Sequence, residues 1–237
     1  LMNNYNAFYQ TNNMYLVITG NIDPEETIKI VDANQNKKKF TAHEVEVITK
    51  EEPYEVYKKY EEIIDNVEIS KFAINIKMKV KDLKTKVKDY QKYLVFYLET
   101  MLGSTSLLKE KLIQKNLITS DISFDVFKAD DYCSLLIVGE TDNYDEVIKE
   151  IMKTLKQYKF DQKEFEINKK ILKSSYVYMS DNIYSINSLI ANQLIEYDEI
   201  NEFVYLDVEK LNKIEYNLVV SEIDLNNYSV VVLKGKK

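Results

Sequence analysis

The chain has 237 residues, of which 45% are hydrophobic and 30% charged, as expected of a globular protein with a sizeable core. Its net charge of −7 argues against a nucleic-acid partner, because binding a polyanion requires a basic face. No apolar run approaches the length of a membrane span, and the single cysteine, Cys133, forms no internal disulfide, so we expect a cytoplasmic protein without a membrane partner.

The first predicted elements are a buried strand over residues 14–19 and a helix over residues 25–33. Asp23 is a good N-cap for this helix, and Pro24 suits its first position. An Asn pair, an aliphatic run and a glycine occur here as NNMYLVITG and again at residues 226–235 as NNYSVVVLKG. This repeat predicts one whole repeat unit, preceded by the closing strand and helix of another.

A domain boundary is predicted near residue 50. A strand over residues 42–49 alternates valine with glutamate, and Glu51-Glu52-Pro53 ends it. We therefore expect a truncated first domain over residues 1–50 and a complete second domain over residues 51–237.

The second predicted domain begins with two strands. Residues 54–67 fit both helical and extended spacing, and we interpret them as a long strand. Residues 70–80 alternate clearly, with Phe72, Ile74 and Ile76 on one face and lysines on the other, which we expect to be solvated.

The remaining pattern predicts an α+β fold. Residues 82–102 have helical spacing up to Gly103, with an aromatic stripe that we interpret as core. Further elements are predicted in this order: a helix over 104–116, strands over 122–127 and 132–138, helices that begin after Asp142 or Asn143 and after Asp161, helices over 182–195 and 208–220, and a strand over 229–233. The order indicates two layers, with a mostly antiparallel sheet and helices packed on one face.

Residues for self-contained catalysis are missing. His43 is the only histidine, and neither HExxH nor HxxEH occurs. The sequence contains no arginine, so it offers no bidentate clamp for a carboxylate or phosphate. We predict no catalytic residue and no metal ligand in this chain.

Taken together, several stretches resemble the C-terminal half of an M16 (pitrilysin-like, inverted zincin) metallopeptidase, in particular its divergent Gram-positive branch. They are Phe8-Tyr9, residues 12–26, Glu52-Pro53, residues 71–74, residues 102–107 with Leu112 and Leu117-Ile118, Lys173-Ser174 with residues 179–181, residues 211–214, and Asn226-Asn227. Each match is loose, and the specificity lies in their order and spacing.

The resemblance implies that zinc is bound by HxxEH and a downstream glutamate in a first half that this chain lacks, so no cofactor is expected here. It implies that the second half closes over a peptide substrate. Many members place an Arg and a Tyr near the catalytic centre, at positions that map onto Ile113 and Ser120. Ser104, Thr105 and Ser106 complete the candidate substrate-facing positions.

Three functions are consistent with these residues and with the resemblance. The chain is the substrate-clamping half of a zinc peptidase, a non-catalytic assembly subunit of the same fold, or a peptide-binding scaffold that uses a sheet edge. The expected partners are an HxxEH-bearing half or paired M16 subunit and a peptide. A dimer through the strand at residues 14–19 is a further expectation, because that strand lacks its sheet neighbours.

Overall fold

The computed structural model describes residues 1–38, 52–129, 131–197, 200 and 208–235. The chain forms two compact units: the first contains residues 1–51 and 169–210, and the second contains residues 52–168 and 211–237. The division into domains at residue 50 stays a prediction. The predicted strand over residues 42–49 lies outside the described residues.

The first unit opens with two helices. Helix α1 spans Met2–Phe8, a 3-10 turn spans Thr11–Asn13, and α2 spans Pro24–Gln35. The predicted cap of α2 is confirmed, because Asp23 Oδ1 accepts a hydrogen bond of 3.0 Å from the Glu26 amide.

The predicted buried strand over residues 14–19 is wrong. These residues form no regular element, and Met14, Leu16 and Ile18 are 56%, 65% and 44% exposed. A strand needs neighbouring backbone to pair with its amides. Within the described part of the chain no strand lies beside this segment.

The second unit is built on a five-stranded sheet of order β1-β5-β2-β4-β3. The strands are β1 Tyr60–Asp65, β2 Lys71–Lys79, β3 Ser123–Lys128, β4 Tyr132–Glu140 and β5 Tyr228–Gly235. Neighbouring strands are antiparallel except for β1 and β5, which are parallel. The last strand in the chain therefore lies inside the sheet, between the first two, and β1 is shorter than the predicted strand over 54–67.

Burial alternates along β2 as predicted, and this separates two faces of the sheet. Phe72, Ile74 and Ile76 are 2%, 0% and 0% exposed, whereas Ala73 and Asn75 are half-buried. We call the side that carries Ile74 the covered face and the side that carries Ala73 the open face.

The helices that the structure describes in full after α2 are α3 Leu83–Lys86, α4 Tyr90–Leu102, α5 Leu107–Gln114, α6 Tyr144–Gln157, α7 Gln162–Ser180, α8 Ile183–Tyr197 and α9 Lys213–Ser221. Helices α4 and α6 contact β3 and β2, respectively, and α4 also contacts α9. Helix α8 belongs to the first unit, and α7 includes residues of both.

The prediction of a single helix over residues 82–102 is wrong, because the backbone leaves the helical conformation between α3 and α4. Val87 has an extended backbone (φ −131°, ψ 99°) and a buried side chain. Leu83, Val87 and Tyr90 are all buried at helical spacing, so the apolar pattern does not reveal the break.

Asn143, one of the two residues predicted to cap the next helix, holds the N-cap position of α6 without a capping side-chain hydrogen bond. The other, Asp142, accepts hydrogen bonds through Oδ1 from the Ser70 amide and hydroxyl, at 3.1 and 2.8 Å. The helix predicted over residues 208–220 is interrupted at Asn212, which is extended and caps α9 by accepting from the Glu215 amide at 3.0 Å.

Aromatic side chains form much of the core of the second unit, as predicted for the stripe on α4. Phe96 packs edge-on against Phe165 and Tyr216, and Tyr97 against Tyr158. The Tyr158 hydroxyl donates to that of Tyr216 at 2.9 Å. Burial raises the pKa of both Tyr97 and Tyr216, so these hydroxyls stay neutral.

The predicted fold class is confirmed: the second unit is an α+β structure whose mostly antiparallel sheet carries helices on its covered face. Among the residues that the structure describes, no helix has the length and apolar content needed to cross a bilayer.

Candidate functional site

A groove of about 500 Å³ lies on the open face of the sheet. Strand register explains its position, because Ala73 pairs with Val138 on one side and Val231 on the other. The small alanine between two valines leaves a depression across three strands. In the next row of paired residues along the strands, Leu233 pairs with Lys71, and the Leu233 side chain extends the apolar lining of the groove.

Charged and hydroxyl groups line the rest of this groove. Lys71 Nζ lies 2.6 Å from Glu140 Oε1, and Asp121 Oδ1 lies 2.7 Å from the Lys109 ammonium. The exposed Ser123 also lines the groove. Each of these charges is neutralised by its ion-pair partner. The groove therefore has an apolar floor and a polar rim.

The structure places the five candidate substrate-facing residues differently. Ser120 is exposed and lines the groove on the open face. Ser104 and Thr105 are exposed in the turn after α4, and Ile113 is 50% exposed on α5. Ser106 is 7% exposed and caps α5, with Oγ 3.2 Å from the Lys109 amide nitrogen.

The prediction that every β2 lysine is solvated is wrong for Lys77, which is 7% exposed. Its Nζ lies 2.8 Å from Glu52 Oε1 and donates to the Pro53 carbonyl oxygen at 2.7 Å. The ammonium also lies 4.7 Å from the centre of the Tyr132 ring. These partners replace water around the charge, which permits its burial.

Asn227 anchors the segment before β1, which includes Tyr54 and Val56, to the sheet. Its Nδ2 donates to the carbonyl oxygens of Tyr54 and Lys77, at 2.9 and 3.1 Å, and its Oδ1 accepts from the Val56 amide at 3.0 Å. The Tyr54 hydroxyl donates to Asp224 Oδ2 at 2.5 Å. Burial, together with this carboxylate, raises the pKa of Tyr54 to about 12.

The described residues do not fit a zinc site. In that part of the chain no group of three or more His, Cys, Asp or Glu side chains converges on a point where a metal ion could bind. His43 lies outside it. Cys133 is 1% exposed, and burial raises the pKa of its thiol to about 12, so it is an unreactive core residue.

Ser120 lines this groove, and its role towards a substrate stays a prediction; the groove itself was not predicted from the sequence. The alternation in β2 places Ala73 and Asn75 on one face, but the row that joins Ala73 to Val138 and Val231 depends on pairing between distant segments. The available signal was Ala73 itself, a small residue in an alternating strand whose other side chains are large.

The comparisons with known proteins identify one family. Residues 1–172 match the model described as the peptidase M16 inactive domain. Over 153 residues the chain is 31% identical to the uncharacterized zinc protease YmfH of Bacillus subtilis, a match that covers 64% of this chain and 36% of YmfH.

Solved structures show the same fold. The M16-like peptidase of Alicyclobacillus acidocaldarius superposes with a TM-score of 0.83 and 19% identity, over 99% of this chain and 57% of that one. A protease of Helicobacter pylori gives 0.76 and 16%, over 98% and 58%.

The chain thus spans less than two thirds of the length of each of these proteins. Three observations indicate the same kind of domain: the fold, the lack of an HxxEH motif in this sequence and the family match. This chain belongs to the peptidase M16 family, as a non-catalytic C-terminal domain of the kind called the M16 inactive domain.

Proposed function

We propose that this chain helps to enclose and position peptide substrates for a zinc-bearing peptidase half that carries HxxEH. The observation that supports this most directly is the groove on the open face, where a mostly apolar sheet surface faces away from the helices of the second unit. In this proposal the parent enzyme uses zinc, and this chain contributes no ligand to it.

The groove suits an extended peptide better than a small charged metabolite. Its floor, formed by Ala73, Val138 and Val231, accommodates an apolar side chain. The hydroxyls of Ser120 and Ser123 are available at its edge for hydrogen bonds to a peptide backbone. Since Lys71 and Glu140 neutralise each other, selection by peptide charge is weak.

Peptide binding to the full chain tests this proposal. We expect a fluorescein-labelled library of unstructured peptides to bind, as measured by fluorescence anisotropy, and Ala73→Glu to weaken binding at least tenfold by filling the depression. Leu107→Glu is the matched control, because Leu107 is 77% exposed on α5 and does not line the groove. Equal binding by both variants would contradict a role for the open face.

The alternative is an assembly subunit without a role in catalysis. It is favoured by the absence of arginine and by Ile113 and Ser120 at the positions where the family resemblance implies Arg and Tyr. The partner decides between the two: an HxxEH-bearing partner with zinc-dependent peptide cleavage supports the enzyme, and a partner without HxxEH supports the subunit. A cytoplasmic location stays our prediction, and so does a peptide-facing role for Ser104, Thr105 and Ser106.

A further inference from the structure

The rim of the groove on the open face includes a short exposed bridge, residues 119–121, which lies between α5 and β3. The bridge contains no helix or strand, and it carries Ser120 and Asp121 into the lining of the groove. The residues on either side of it, Ile118 and Ile122, are buried. Exposed connections of this kind are the more mobile parts of a fold, so the position of Ser120 depends on what holds the bridge.

Backbone contacts fix the chain on both sides of the bridge but do not reach its centre. The Leu117 amide donates to the Leu112 carbonyl oxygen at 2.9 Å, and Thr141 Oγ1 donates to the Leu117 carbonyl oxygen at 2.6 Å. On the other side, Ser123 begins β3 and pairs with β4. In the described part of the chain Ser120 makes no hydrogen bond, so its hydroxyl is open to a ligand.

One ion pair holds the bridge between these two sides. Lys109 Nζ, from the first turn of α5, lies 2.7 Å from Asp121 Oδ1. The Lys109 side chain is 17% exposed, whereas that of Asp121 is 73% exposed. Because the lysine stem is confined by its surroundings and the aspartate is not, the ammonium fixes the carboxylate rather than the reverse. Among the described residues, no other polar contact restrains the bridge.

Lys109 is itself anchored at the start of α5. Its amide donates to Ser106 Oγ at 3.2 Å, and Ser106 is buried. Leu108, the residue before it, is also buried, so this end of α5 is packed against the core. A continuous series of contacts therefore runs from the core through Ser106 and Lys109 to Asp121, at the rim of the groove.

We propose that Lys109 is a positioning residue for peptide binding: through its ion pair with Asp121 it holds the Ser120 hydroxyl at the edge of the groove. The proposal rests on the proposed function, because that function makes the groove a peptide site. Lys109 is not among the described residues that line the groove, so it acts through Asp121. A rim that is ordered before the peptide arrives avoids the entropic cost of ordering it on binding. The ion pair thereby raises affinity although Lys109 does not contact the ligand.

Spin labelling of the full chain tests whether this ion pair orders the bridge. Thr119→Cys places a reactive thiol in the bridge, and the buried, unreactive Cys133 does not compete for the label. We expect Lys109→Met to shorten the rotational correlation time of the label in its electron paramagnetic resonance spectrum, because the substitution removes the charge and keeps the stem. Asp121→Asn, at an exposed side chain, should shorten it as well.

Lys111→Met is the matched control. Lys111 is on the same helix, and its Nζ lies at the same distance, 2.7 Å, from Glu150 Oε2, but neither residue lines the groove. The label should be as immobile in this variant as in the unmodified sequence. Loss of either ion pair should change the urea midpoint little, because partly exposed ion pairs contribute little to stability.

Peptide binding shows whether the ordered bridge matters for function. Ser120→Ala should weaken the binding of fluorescein-labelled unstructured peptides about fivefold, as expected for the loss of one hydrogen bond. Lys109→Met should cause a similar loss, and Ser120→Ala should then add almost nothing, because the hydroxyl is no longer held in place. In the Lys111→Met background, Ser120→Ala should keep its full effect. A merely structural role of Lys109 would instead give additive losses.

The outcomes separate this proposal from the proposed function. Additive losses for Ser120→Ala and Lys109→Met would overturn the positioning role and leave peptide binding by the groove standing. Equal label mobility in the Lys109→Met and Lys111→Met variants would do the same. No binding of the labelled peptides by the unmodified chain would overturn the proposed function and the positioning role with it.

Discussion

The substitution Ile74→Asp tests whether the covered face of the sheet is the core of the second unit. Ile74 is 0% exposed at the centre of β2, where it pairs with Ile137 on one side and Val230 on the other. An aspartate there loses the buried side chain and places a carboxyl group among aliphatic neighbours.

Two contributions set the magnitude. Burial of an isoleucine side chain stabilises the folded state by about 1.5–3 kcal/mol. An apolar site raises the pKa of a carboxyl group by as much as ~3–5 pH units, and each pH unit corresponds to about 1.4 kcal/mol at a pH where the group would otherwise be ionised. We therefore expect a loss of about 5 kcal/mol or more at pH 7, comparable with the whole stability of a small domain.

Urea denaturation at pH 7 and pH 4 measures this loss. Because the folded-state pKa of the introduced carboxyl lies above its unfolded value of ~3.9, the destabilisation should grow as pH rises from 4 to 7. Asn75→Asp is the matched control: it is the next residue of β2, half-buried on the open face, and should change the free energy of unfolding by less than about 0.5 kcal/mol. Equal losses for the two variants would refute the assignment of faces.

Three further measurements test other parts of the structure. Lys111 and Lys115 donate hydrogen bonds to Glu150 and lower its pKa from 4.5 to about 2. The stabilising contribution of Glu150 is therefore complete above pH 4.5 and is lost as pH falls towards about 2. Glu150→Gln should flatten the decline of the unfolding free energy in that pH range, and an unchanged decline would contradict the ion network. Asn212→Ala removes the cap of α9 and should lower the unfolding free energy by about 1 kcal/mol, whereas an unchanged urea midpoint would show that the cap contributes nothing. After dialysis the chain should hold no stoichiometric zinc by mass spectrometry of metals, and one tightly held zinc per chain would contradict the proposed division of labour.

The sequence predicted the sheet well where alternation was strong and local. Strand β2 and the buried set Phe72, Ile74 and Ile76 follow from period-two spacing alone. Helix boundaries were less predictable, because the break at Val87 keeps helical spacing on both sides and the extended Asn212 lies within an apolar pattern.

The two similar stretches at residues 12–20 and 226–235 show why local pattern is not sufficient. The second forms β5, with β1 and β2 as neighbours, whereas the first forms no strand in the described part of the chain. Both have an aliphatic run that favours a strand, and the available pairing partners decide whether one forms.

The candidate site was harder to predict than the fold. Ser120 emerged from the family resemblance, but the groove beside it arises from the row of Val231, Ala73 and Val138, which are brought together only by strand order. The burial of Lys77 was also unpredictable. Its ammonium pairs with Glu52 and donates to the Pro53 carbonyl oxygen, and both residues lie before β1 in the sequence.

The position of β5 inside the sheet has a consequence for synthesis of the protein. Among the described strands β1 has only β5 as a neighbour, and the ion pair that joins them, between Lys234 and Glu62, spans 172 positions of sequence. While a ribosome is still translating the intervening helices, the inner edge of β2 and all of β1 have no partner. Such long-range closure is slow and leaves strand edges exposed to other nascent chains. A truncation that removes only residues 228–235 should therefore direct the product to aggregates or to chaperones, although it deletes no helix.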